Sequence, residues 1–108
     1  PILQEVGDRR VEGIALNNIA IIYRAQGKLN KALEYYEQDL AICQEVGDRA
    51  GEATTRWNMG FAYIGLGDLA KAEEYITQAV QIAEKIEDPD LETWQEGLEY
   101  VRAIRQAG

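Results

Sequence analysis

The sequence contains no histidine and a single cysteine, Cys43, among its 108 residues. Without histidine, the chain lacks the side chain that most often transfers protons near neutral pH and most often binds metals. A single cysteine cannot form an internal disulfide, so the fold depends on packing, and it favours a reducing compartment such as the cytoplasm. We therefore expect a cytoplasmic protein with no metal or other cofactor.

The sequence also lacks long apolar runs and an excess of positive charge. No stretch approaches the roughly 20 apolar residues that a membrane-spanning helix needs. The net charge is −8 at pH 7, and this acidity opposes binding to nucleic acid or to an anionic membrane surface. The expected partner is therefore a protein or a peptide.

What the sequence does contain is an internal repeat. The letters QEVGDR occur at residues 4–9 and again at 44–49, and 16 of 40 positions are identical when residues 5–44 are aligned with residues 45–84. A third copy begins at Lys85 and soon loses the pattern. Repetition at this period is typical of a solenoid of stacked units.

Apolar residues at helical spacing predict helices near residues 9–26, 29–46, 49–66, 69–87 and 89–106, after a short tail at 1–6. We interpret QEVGDR as the end of one helix and the start of the next, because Gly47 can end a helix and Asp48 can cap the following one. The predicted organisation is a tail from a truncated preceding repeat (1–6), repeat 1 (7–46), repeat 2 (47–87) and a capping helix (88–108).

The repeat resembles the tetratricopeptide repeat. The residues that carry the resemblance are Leu16, Ile19, Ala20, Tyr23, Ala32 and Tyr36 in repeat 1, and Met59, Gly60, Tyr63, Ala72 and Ala79 in repeat 2. The 40-residue period resembles the long variety of Partner-of-Inscuteable-type and bacterial multi-repeat proteins. The resemblance implies an all-α, right-handed solenoid of helix-turn-helix repeats with a C-terminal capping helix, acting as a protein-interaction scaffold.

Two residues depart from the family pattern. Arg56 stands where a large apolar residue is usual, and Asp39 stands where a small residue is usual. An unpaired buried charge is costly, so we expect each side chain to reach solvent or to find an opposite charge.

The resemblance also implies a concave, peptide-binding surface formed by the first helix of each repeat. The candidate site residues are Asn17, Asn18, Ile21, Arg24, Trp57, Asn58, Phe61 and Trp94. Two alternatives stay open at this stage. The asparagine amides could bond neighbouring backbone, and Trp57, which shares a helix face with Phe61, could be a core residue.

Charge adds an expectation about the ligand. The predicted first helices, 9–26 and 49–66, contain five arginines and two glutamates, a net charge of +3 inside an otherwise acidic chain. A mildly positive inner surface favours an acidic segment or a free C-terminal carboxylate over a basic segment.

No arrangement of residues predicts catalysis. Gly65 and Gly67 fit a turn between helices, the acidic residues near Asp88 fit a helix start, and Cys43 lies on an apolar stripe without a histidine to activate it. We therefore expect a peptide-binding module and not an enzyme. The alternative is self-assembly, in which the exposed ends of two and a half repeats stack into a dimer or a continued superhelix, since about three repeats are usually needed for stability.

Overall fold

The structure is a computed structural model that describes the backbone of residues 2–107 and the side chains of residues 7–107. This part of the chain forms five helices: α1 (Ile2–Ala25), α2 (Leu29–Val46), α3 (Arg49–Leu66), α4 (Leu69–Lys85) and α5 (Leu91–Ala107). Each helix packs against the next one along the chain. The prediction of an all-α helical-repeat solenoid is confirmed.

Three of the four connections end a helix with a glycine in the left-handed conformation. The φ angle is 78° at Gly27, 74° at Gly47 and 81° at Gly67, a region that glycine enters without steric cost. The residue after each glycine donates its N–H to a carbonyl of the last helical turn at 2.8–3.0 Å. These turns confirm the predicted bounds of α2 and α3.

Aspartates start two of the helices that follow these turns. The Asp48 carboxylate accepts the Gly51 N–H at 2.9 Å, and the Asp68 carboxylate accepts the Lys71 N–H at 3.1 Å. Each bond satisfies one of the free N–H groups at a helix start. Lys28 occupies the same position before α2 and supplies no side-chain bond.

The first QEVGDR does not form such a junction. Helix α1 begins at Ile2 and passes through Gly7 and Asp8, so the predicted helix start near residue 9 is wrong. Pro1 of the predicted tail lies outside the described residues. A glycine inside a helix costs only about 1 kcal/mol, so the six residues permit a turn without requiring one. At the second copy of QEVGDR the chain does turn, because α3 packs back against α2.

The last junction also differs from expectation. Helix α4 ends at Lys85 and α5 begins at Leu91, and not near residues 87 and 89 as predicted. Glu87 has a φ of 56°, so a non-glycine residue takes the left-handed position here. The Asp88 carboxylate accepts the Asp90 N–H at 2.8 Å, and this bond holds a turn before the helix starts.

The core repeats the same packing in both hairpins. Tyr23 stacks on Tyr35 and Tyr63 stacks on Tyr75, each pair with ring centroids 5.5 Å apart. One buried cluster joins α1, α2 and α3 around Tyr36 and Met59, and a second joins α4 and α5 around Ile76 and Val101. The two clusters fix α1 and α3 as the first helices of equivalent hairpins.

Candidate functional site

Helices α1 and α3 come together at a pair of asparagines. The Asn58 Nδ2 atom lies 3.5 Å from Asn17 Oδ1, and both residues are half-buried. This contact is at the long limit of a hydrogen bond, so both amides keep donors and acceptors for another partner. Asn18, the repeat equivalent of Asn58, is exposed and is not the residue that faces Asn58.

A stripe of α1 residues flanks this pair. Arg10, Ile14, Asn17, Ile21 and Arg24 recur at intervals of three and four, which places them along one side of the helix. Ile14 is 61% exposed and Ile21 is 38% exposed. Among the described side chains, no carboxylate lies within 4.0 Å of Arg10 or Arg24. The stripe therefore has apolar and amide groups between two cations.

The three aromatic candidates form one cluster where α3 meets α5. The Trp57 ring centroid lies 5.1 Å from that of Phe61 and 5.0 Å from that of Trp94, both pairs tilted. Trp57 also packs directly on Gly97, where a Cβ atom would collide with the indole. Trp57 thus helps to attach the last helix, and all three rings remain only half-buried.

Arg56 belongs to a polar network between α3 and α4. Its Nε donates to Glu52 at 3.0 Å and its Nη1 donates to Gln78 Oε1 at 2.7 Å. Glu52 is buried and also accepts from Arg49 at 2.8 Å. The expectation that Arg56 finds an opposite charge is confirmed.

The charge of the inner surface is lower than the sequence suggested. Because α1 begins at Ile2, it includes Glu5 and Asp8, and its three arginines are balanced by three acidic residues. Helix α3 has two arginines and one glutamate, so the two helices together carry +1. The Arg9 guanidinium already has two carboxylate partners, since it pairs with Glu12 and Glu45 at 2.6 Å each.

A cleft lies between α1, α2 and α3, close to Asn17, with Asp39 among the residues that line it. Its volume is about 170 Å³. Asp39 is 5% exposed. Its carboxylate accepts the Thr55 hydroxyl at 2.9 Å and the Cys43 thiol at 3.5 Å. Among the described residues no cation lies within 4.0 Å of it, so Asp39 has no opposite charge, and its slight exposure is where it lines the cleft.

Burial governs the ionisation of this group and of its neighbour. Desolvation raises the pKa of Asp39 above its ordinary value, and the bonds from Thr55 and Cys43 oppose that shift only in part. Desolvation, followed by the charge of Asp39, raises the pKa of the Cys43 thiol to about 12. A thiol with this pKa stays protonated and unreactive, which agrees with the prediction that Cys43 is a small core residue.

Comparison with protein families agrees with this geometry. The sequence model of the family described as "Tetratricopeptide repeat" matches residues 11–85. The chain belongs to the tetratricopeptide repeat family. Repeats of this family generally mediate protein–protein interactions and are non-catalytic. A search of the curated proteins found no match.

The matched region of this tetratricopeptide repeat chain covers most of α1 and all of α2, α3 and α4, and it leaves α5 outside. All candidate site residues except Trp94 therefore lie within the matched region. None of the described helices combines the length and the apolar character that crossing a membrane requires.

Proposed function

We propose that this domain is a scaffold module that binds a peptide segment of a partner protein on the surface shared by α1 and α3. The observation that carries the proposal is the half-buried pair Asn17 and Asn58, whose amides are only weakly bonded to each other. Amide groups can both donate to and accept from a peptide backbone of any sequence. The exposed Ile14 and Ile21 provide apolar contact on either side.

The two arginines of the stripe support an acidic segment as the ligand. Arg10 and Arg24 are 14 residues apart on α1, which corresponds to about 21 Å along the helix. Carboxylates at both ends of a bound segment would neutralise them, and the surrounding acidic chain would repel a basic segment. The net charge of −8 also favours a protein partner over nucleic acid or an anionic membrane.

The aromatic cluster is the expected apolar anchor of this surface. Trp57, Phe61 and Trp94 keep part of each ring accessible, and aromatic side chains concentrate binding energy at interfaces. The cytoplasm stays our proposal for the compartment, supported by the free, buried thiol of Cys43.

Peptide binding can be tested by fluorescence anisotropy with labelled acidic and basic peptides of matched length, at low and at high salt. We expect the acidic set to bind more tightly and to weaken in salt. Asn58→Ala should reduce affinity about tenfold, since a lost hydrogen bond in a desolvated site costs about 1–2 kcal/mol.

Asn30→Ala is the matched control, because Asn30 is an exposed asparagine on α2, away from the α1 stripe. Circular dichroism of each variant checks that helicity is retained. Tighter binding of the basic set, or equal effects of the two asparagine substitutions, contradicts the proposal.

A second candidate function is self-assembly through the outer face of α1, defined by Val11, Ile19 and Ile22. Ile22 is 56% exposed and Ile19 is 37% exposed, whereas their repeat equivalents Ala62 and Met59 are fully buried. The face that α3 buries inside the domain is therefore open on α1. A second copy of the chain, placed with α1 against α1, would cover these apolar groups by two-fold symmetry.

Sedimentation equilibrium over a wide concentration range tests self-assembly. We expect a monomer–dimer equilibrium that Ile22→Glu abolishes. Tyr100→Glu is the control, because Tyr100 is also 56% exposed but lies on α5. A monomer at every concentration, or dimers that survive the Ile22 substitution, excludes this candidate.

A further inference from the structure

Asp39, an acidic residue that lines the cleft between α1, α2 and α3, has no acidic counterpart in repeat 2. Gly13 and Asp39 both line the cleft and lie against each other, since a Cβ atom on Gly13 would be 2.8 Å from Asp39 Oδ1. The repeat equivalents of these residues are Ala53 and Ala79, which are both fully or almost fully buried. In repeat 2 alanines fill these two positions, so the repeat can pack without an acidic group there.

The carboxylate of Asp39 has acceptor capacity that the protein does not use. A carboxylate can accept about four hydrogen bonds, and the nearest donor here, the Thr55 hydroxyl at 2.9 Å, is shared with the Gly51 carbonyl oxygen at the same distance. The thiol of Cys43, a weak donor, lies 3.5 Å away. A buried charge is stabilised by a cation or by several donors, and among the described residues no cation lies within 4.0 Å of Asp39, although Arg10 lines the same cleft.

The rest of the lining is mostly apolar, with Ile14, Ile42 and Val46 among its residues, and a few oxygen acceptors stand between them. Asp48, Asn17 and Thr54 all contribute to the cleft, and Asp48 uses one carboxylate oxygen to cap α3. The volume of about 170 Å³ is far above the roughly 10–15 Å³ that a cavity needs to hold one water molecule, so the cleft can hold the end of one side chain. Arg10 lines the same cleft, is exposed, and can turn into solvent.

We propose that this cleft binds a single ammonium or guanidinium group, with the Asp39 carboxylate as its principal partner. That a peptide supplies this group, as a lysine or arginine side chain, rests on the proposed function. The preferred ligand is then an acidic segment with one basic residue, whose carboxylates reach the arginines of the α1 stripe while its cation enters the cleft.

The cleft can be tested without a peptide. Methylguanidinium chloride and ethylammonium chloride are titrated separately into the ¹⁵N-labelled chain, with sodium chloride at equal ionic strength as the reference. We expect saturable shifts of the amides of Gly13, Gly51 and Thr55 that sodium chloride does not produce. The two organic cations distinguish a guanidinium site from an ammonium site.

Variants sharpen the test. Asp39→Asn keeps the shape of the side chain and removes its charge, so we expect binding at least tenfold weaker. Arg10→Ala removes a competing cation at the cleft, so we expect binding a few times tighter. If Asp39→Asn does not fold, the natural chain can be used instead. The ¹³C resonance of the Asp39 carboxyl is followed against pH with and without the organic cation, and a bound cation must lower its titration midpoint.

Shifts that match sodium chloride, binding unchanged in Asp39→Asn, or a midpoint that the cations do not move would each overturn the proposal. The peptide step is tested apart from the cleft, by comparing an acidic peptide that contains one lysine with the same peptide containing norleucine. If both peptides fail to bind while methylguanidinium saturates, the proposed function is wrong and the cleft site stands.

Discussion

Helices α1 and α3 occupy equivalent places in the two repeats, yet they differ in what covers them. Met59 of α3 is fully buried, while its equivalent Ile19 of α1 is 37% exposed. Ala62 of α3 is likewise buried, whereas its equivalent Ile22 of α1 is exposed. The difference arises because α2 packs over α3, whereas no described helix packs on the equivalent face of α1. In a solenoid, burial is therefore a property of the neighbouring hairpin and not of the repeat sequence.

The largest expected effect tests this difference directly. Met59→Ala should lower the free energy of unfolding by about 2–5 kcal/mol, because it leaves a cavity in a closed core. Ile19→Ala should cost about 1 kcal/mol or less, since the side chain is already partly solvated. Urea denaturation followed by circular dichroism, at low protein concentration, measures both. Equal losses would mean that the face of α1 is covered in solution.

The two copies of QEVGDR give a sharper contrast, because the same substitution should have opposite signs. Gly47→Ala places alanine at a φ of 74° and should destabilise by about 1–2 kcal/mol. Gly7→Ala lies inside α1 and should stabilise by about 0.5–1 kcal/mol. A Cβ atom meets nothing within 4 Å at either position, so sterics do not confuse the comparison.

Thermal or urea unfolding of both glycine variants measures the sign. A loss of stability in Gly7→Ala would show that the first copy also forms a turn in solution. Such a result would restore the sequence-based prediction that a helix starts near residue 9.

Sequence-based prediction succeeded for helix ends that depend on adjacent residues, and it failed for a helix end that depends on contacts with distant residues. The ends of α2 and α3 were predictable because Gly47, Asp48 and Gly67 act on their own turns. The start of α1 was not, because a glycine and an aspartate tolerate both a turn and a helix, and contacts with distant residues decide between them.

The same limit applies to the candidate site. The sequence places Asn18 and Asn58 at one repeat position, but Asn58 contacts Asn17, since the partner lies on a neighbouring helix 41 residues away. Helical spacing could not reveal that Trp57 packs on Gly97, or that Gly13 leaves room for Asp39. Those contacts depend on how α1, α3 and α5 are placed by their neighbours.

A smaller effect is expected at Tyr36, whose repeat equivalent is Ile76. Both side chains are fully buried, but the Tyr36 hydroxyl has no hydrogen-bond partner among the described residues. Tyr36→Phe removes a polar group whose burial is uncompensated, so stability should be unchanged or should rise by up to about 1 kcal/mol. Urea denaturation measures it, and a clear loss of stability would show that the hydroxyl is bonded in solution.

The smallest expected effect is a pH dependence that separates Asp39 from Ala79, its uncharged equivalent in repeat 2. Burial raises the pKa of Asp39 above its ordinary value of 3.8, so the folded state binds the proton more tightly than the unfolded state. The contribution of this proton to stability is complete below the ordinary pKa of 3.8 and is lost as the pH rises through the raised pKa.

Asp39→Asn cannot lose a proton. The unfolding free energy of the natural chain, minus that of Asp39→Asn, should therefore fall as the pH rises above 3.8. Urea denaturation of both proteins at each pH measures this difference, in which the titration of groups that do not interact with Asp39 cancels. A difference that stays constant or rises with pH would mean that the carboxylate is charged and well solvated in the fold. A bound cation would then not be required to stabilise it.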